Sequence, residues 1–103
     1  MERLAIVARL KPGTKVRAAE LITAGPPFDP QAEGFERQSV YLSATEVIFV
    51  FEGREVELLV DALIQNPFKW MVSEAFEHWR PLVDGRPRIA RECFFWQRDE
   101  TVA

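Results

Sequence analysis

Glu46-Val47-Ile48-Phe49-Val50-Phe51 is the stretch that decides the fold. Side chains along a strand point alternately to its two faces. Val47, Phe49 and Phe51 therefore look one way, Ile48 and Val50 look the other, and both faces require burial. A chain of 103 residues can cover one of these faces with its own helices. The second face then takes its cover from outside the fold, and the expected cover is a second copy of the chain, sheet against sheet.

Upstream, Gln38 to Ser43 alternates as a strand, and the short Ala44-Thr45 turn joins it to the apolar run as a hairpin. Arg3 to Leu10 alternates as well, with Leu4, Ile6, Ala8 and Leu10 on one face and Ala5, Val7 and Arg9 on the other. Pro12-Gly13-Thr14 breaks that strand, and Ala18, Leu21, Ile22 and Gly25 follow at helical spacing until Gly25-Pro26-Pro27 ends the helix. From there to Glu36 the chain has no period and reads as a long loop, a lid candidate that carries Phe28 and Phe35.

Downstream, Val56, Leu59, Val60, Leu63 and Ile64 form the stripe of a second helix. Asn66-Pro67 fits an N-cap followed by proline at the first helical position, opening a third helix whose apolar face runs from Phe68 to Trp79 and whose polar face carries Trp70. Arg80-Pro81 stops it, Asp84-Gly85 marks a turn, and Arg88 to Gln97 reads as a last strand, apolar on both sides. The expected fold is α+β: a single ferredoxin-like βαββαβ domain over residues 1–103, with a four-stranded antiparallel sheet and helices on one face only. Left in water, the other face would exceed the ~300–600 Å² that the largest apolar patch of a monomer usually reaches.

Composition narrows the partners. Net charge is −3, and the third strand has aromatics without Lys or Arg among them, which argues against a nucleic-acid surface. A single cysteine, Cys93, makes no intrachain disulfide and is expected as a small core residue. No apolar stretch is long enough to serve as a signal peptide or to span a bilayer, so the expected compartment is the cytoplasm. With one His and one Cys there is no His/Cys metal cluster, and no phosphate loop or nucleophile elbow is present; neither a metal nor a cofactor is expected.

The strands at Arg3 to Leu10, Gln38 to Phe51 and Arg88 to Gln97, in this order with the helices, resemble the dimeric α+β barrel superfamily, which includes antibiotic-biosynthesis monooxygenase-like, stress-responsive barrel and heme-degrading monooxygenase families. The resemblance implies two four-stranded sheets facing each other in a homodimer, with small-molecule pockets between each sheet and its own helices. Its heme-degrading members typically use an Asn on the first strand with a Trp and a His. Here the only Asn is Asn66, before a helix, so that pattern is not met.

Three residues are candidates for proton movement or substrate orientation. Tyr41, between Ser39 and Ser43, either presents its phenol to a pocket or caps the core. His78 is the one side chain that ordinarily titrates near neutrality, and it equally suits the boundary of the third helix beside Glu74. Arg91 either holds an anionic ligand or forms an ion pair at the sheet edge. Phe28, Phe35, Trp70, Trp79 and Trp96 are the candidates for lining a ligand cleft. Two functions follow from different classes: a module that binds a small apolar or aromatic molecule in a sheet-helix cleft, or a cofactor-independent monooxygenase or isomerase using Tyr41, His78 or Arg91.

Overall fold

The computed structural model describes residues 2–26, 29, 31–32, 34–58 and 77–98. Its elements are β1 (Glu2–Arg9), α1 (Lys15–Thr23), β2 (Arg37–Leu42), β3 (Glu46–Gly53) and β4 (Arg88–Arg91). The class is α+β. The strands form one sheet in the order β2-β3-β1-β4, and every neighbouring pair is antiparallel. Of the second and third helices, only the turn at Val56–Leu58 and the helical residue Glu77 fall among the described residues.

Register explains the core. Leu4 lies opposite Phe51, Ile6 opposite Phe49 and Ala8 opposite Val47, which stacks the buried residues of the two central strands in one layer. Val40 and Leu42 extend the layer onto β2 and Ile89 onto β4. Ala18 of α1, with Leu21 and Ile22, packs into the same cluster together with Phe35, Val56, Trp79 and Leu82. Ile6 and Val47 are wholly excluded from solvent, and each such side chain contributes roughly 1.5–3 kcal/mol relative to exposure.

Local chemistry sets the element ends. Ser43 organises the hairpin turn: its hydroxyl accepts from the Glu46 amide at 2.9 Å, and its own amide donates to the Glu46 carbonyl at 2.9 Å. Helix α1 stops at Thr23, and Gly25, which the spacing placed on the helical stripe, lies beyond it at φ 87°, donating to the Ile22 carbonyl at 3.0 Å. A left-handed residue at this position satisfies a terminal carbonyl and turns the chain away. Strand β3 runs on through Glu52 to Gly53, further than its apolar pattern indicates, because Arg3 and Glu2 of β1 continue to pair with it, and the returning loop packs close to its end. A Cβ on Gly53 would stand 3.2 Å from the Gly34 carbonyl oxygen, and the Glu36 amide donates to the Glu52 carbonyl at 2.8 Å.

The last strand is shorter than expected: β4 ends at Arg91 rather than Gln97. Among the described residues its ladder is with β1 and stops where Leu4 faces Arg91, although β1 itself continues to Glu2. Residues 92–98 lie past the end of that ladder and carry no regular structure. Cys93 is corrected with the strand: it is exposed rather than part of the core, because the strand alternation that would bury it has ended.

Candidate functional site

The described residues build two surfaces of note. The first is the sheet face opposite the core. Ala5 and Val7 of β1 and Ile48 and Val50 of β3 occupy its centre and are half-buried, whereas their neighbours on the other face are buried. Tyr41 of β2 stands opposite Ile48 on this face and is 60% exposed. Charged rows bound the apolar centre. At one end Arg3 Nε donates to Glu52 Oε1, Arg3 Nη1 lies 3.3 Å from Glu92 Oε2, and Arg37 Nε makes an ion contact with Glu52 Oε2 at 3.3 Å. At the other, Arg88 reaches Glu46 at 3.6 Å.

Glu52 is 5% exposed, a carboxylate held between two guanidinium groups. Its Oε1 accepts from Arg3, while Oε2 has the Arg37 contact without a hydrogen bond. The hydrogen bond to Glu52 raises the Arg3 pKa above its ordinary value; desolvation opposes this, and Glu92 adds to it. Arg3 also lies 4.2 Å from the centre of the Phe95 ring, a cation-π contact that ties the segment after β4 to this end of the face.

The second surface is an open cleft of about 600 Å³ between β2 and the loop returning from α1. Pro26 and Phe35 give it apolar wall; Asp29, Arg37 and Gln38 give it polar rim. Phe35 is 5% exposed and packs on Phe51 with ring centres 4.7 Å apart. The cleft thus has one rigid aromatic wall continuous with the core.

No family model, curated protein or solved structure matches the chain. Its function is therefore argued from these surfaces alone, since a fold by itself selects no activity.

The expected site residues do not converge. Tyr41 and Arg91 sit on β2 and β4, the two edges of the sheet, and on opposite faces. Three strand spacings, ~14 Å, separate those edges. Arg91 is engaged at its edge by Glu57, with Nε donating to Oε1 at 2.9 Å. His78 is exposed, one residue after the helical Glu77. None of the three lines the cleft. Among the aromatic candidates Phe35 does line it, whereas Trp79 is a core residue meeting Phe49 edge to face, with ring centres 5.3 Å apart, and Trp96 is 72% exposed. Phe28 and Trp70 lie outside the described residues.

The residues that sequence reasoning missed are Arg37 and Gln38 at the cleft and the Arg3–Glu52 pair on the open face. They have no spacing signal: Arg3 and Glu52 are 49 positions apart and meet only because the ladder places them opposite one another. Among the described residues no group of three His, Cys, Asp or Glu is placed to hold a metal ion, and no helix is long and apolar enough to cross a membrane.

Proposed function

We propose that this chain is a ferredoxin-like α+β binding module. It pairs with a second copy through its open sheet face and holds a small apolar or aromatic molecule against Phe35. The observation that carries the proposal is the half-buried apolar centre of Ala5, Val7, Ile48 and Val50, framed by ion pairs, on a sheet whose other face is already the core. An apolar centre with a charged rim is the composition of a protein interface. The strand order β2-β3-β1-β4, with a helix between β1 and β2, agrees with the split βαβ arrangement and with the barrel superfamily that the element order resembles. Support for ligand binding comes from the cleft, where a ring packed on the core faces a rim of amide and charge. The alternative, a cofactor-independent enzyme using Tyr41, His78 or Arg91, has less support because none of those three lines the cleft.

Sedimentation equilibrium over a wide concentration range tests the pairing; the expected mass is twice that of the chain. The cleft is tested with 8-anilinonaphthalene-1-sulfonate, an aromatic anion matched to Phe35 and Arg37. Saturable binding at one probe per chain, abolished by the cleft-filling Gln38→Trp, is expected. A monomer at every concentration would remove the dimer, and binding unaffected by Gln38→Trp would remove the cleft.

A further inference from the structure

Residues 92–98, Glu-Cys-Phe-Phe-Trp-Gln-Arg, are the largest feature that neither the core nor the cleft uses. Among the described residues no backbone hydrogen bond involves them. Their base is anchored: Glu92 pairs with Arg3, and Phe95 lies against the Arg3 guanidinium. The residues on either side of Phe95 are not. Phe94 is 82% exposed and Trp96 72% exposed.

Strand direction explains why they stay uncovered. β4 runs from Arg88, opposite Val7, to Arg91, opposite Leu4, so its continuation passes Glu2 and leaves the sheet. The apolar centre at Ala5 and Val7 lies behind it. The arm holds Phe94 and Trp96 in water, while the same chain presents an apolar sheet face of Ala5, Val7, Ile48 and Val50 with the exposed Tyr41 on its edge strand.

We propose that residues 92–98 form an arm that crosses to a second copy and lays Phe94 and Trp96 on that copy's open sheet face, over Ala5, Val7, Ile48 and Val50. The inference rests on the pairing proposed above and names the element that secures it. Length permits the contact: seven extended residues reach ~23 Å, more than the ~14 Å between the edges of a four-stranded sheet. Area requires it. Phe94, Trp96 and Tyr41 together leave roughly 450 Å² in water, taking ~150–250 Å² for each aromatic side chain. A stable dimer buries about 800 Å² per partner; these three aromatics are over half of that, and Phe95, 50% exposed, adds to them with the four half-buried aliphatic residues. Two-fold symmetry makes the contact reciprocal, so each arm covers the other subunit's face.

The test compares the full chain with the double variant Phe94→Ser/Trp96→Ser by sedimentation equilibrium, with circular dichroism as a check that the variant is folded. Neither side chain is covered within its own chain, so the fold is expected to survive. The expected result is a wild-type dimer and a variant whose dissociation constant is weaker by on the order of a thousandfold, as loss of central aromatic anchors produces. Equal dissociation constants would overturn the arm and leave the sheet-to-sheet pairing standing. A wild-type chain that is monomeric throughout would overturn both, and if that monomer sedimented with phosphatidylcholine vesicles the aromatic arm would be assigned to a lipid surface instead. A second reading uses Cys93, the only cysteine, at the base of the arm. A spin label there is expected to report a single inter-subunit distance in the wild-type dimer, and a broad distribution would count against an arm seated on its partner.

Discussion

Two substitutions three residues apart on β3 separate a face buried by the chain itself from the one that the proposed pairing would bury. Val47 is wholly buried, with Ala8 and Leu42 opposite it on the neighbouring strands, and Val50 is half-buried on the open face opposite Ala5 and Ser39. Threonine has nearly the shape of valine, so Val→Thr changes a methyl to a hydroxyl with little change in packing volume. At Val47 the hydroxyl enters an apolar layer, and an unpaired buried hydroxyl costs about 1–3 kcal/mol. For a domain of this size that lowers the melting temperature by roughly 10 °C, taking ~4–8 °C per kcal/mol. At Val50 of a dissociated chain the hydroxyl stays in water, and the change is expected within ~0.5 kcal/mol. Raising the protein concentration should reverse that mildness, because association stabilises the folded state and the Val50 hydroxyl would then be buried between sheets. Urea unfolding at a submicromolar and a high-micromolar concentration measures all four midpoints, with unchanged slopes confirming that the same surface is exposed. If Val50→Thr cost as much as Val47→Thr in dilute solution, the second face would be covered within the chain, and the reasoning from the two-faced strand would fail.

Other perturbations probe separate parts of the fold. A double-mutant cycle with Phe35→Leu and Phe51→Leu should return a coupling of about 0.5–1.5 kcal/mol, the value of an aromatic pair beyond its area; a coupling near zero would detach the cleft wall from the core. Arg91→Ala should alter the unfolding midpoint by less than ~0.5 kcal/mol, since its ion pair with Glu57 is exposed on both sides. The same variant should bind the cleft probe unchanged, and a loss of binding would restore Arg91 to a ligand site. Gly25→Ala should destabilise by about 1 kcal/mol through its positive φ alone, because no atom lies within 4 Å of the added methyl. A neutral result in differential scanning calorimetry would show that the helix end relaxes.

Period-2 and helical patterns were legible because they repeat over a few residues. Val47, Phe49 and Phe51 are buried and Ile48 and Val50 are not, as alternation predicts, and β1, β2 and α1 begin and end within a few residues of their expected limits. The length of β4 was not legible. Phe94, Phe95 and Trp96 have strong strand preference, yet the ladder with β1 stops at the Leu4–Arg91 pair, and without a paired neighbour that preference forms no strand. Trp79 illustrates the same limit for the site: its place on an apolar stripe suits a ligand wall and a core equally, and only the packing on Phe49 separates them.

The amino-acid sequence by itself determined which segments are strands or helix and which side chains share a face, since those follow from backbone geometry acting between near neighbours. Tertiary structure alone decided which strands meet, and with that the Arg3–Glu52–Arg37 row, the separation of Tyr41 from Arg91, and the point at which the β4 ladder ends. The physical reason is that pairing joins residues 37–51 positions apart between β1 and β3 and 81–87 apart between β1 and β4, and such contacts are selected by the burial of the whole layer, which no local pattern encodes.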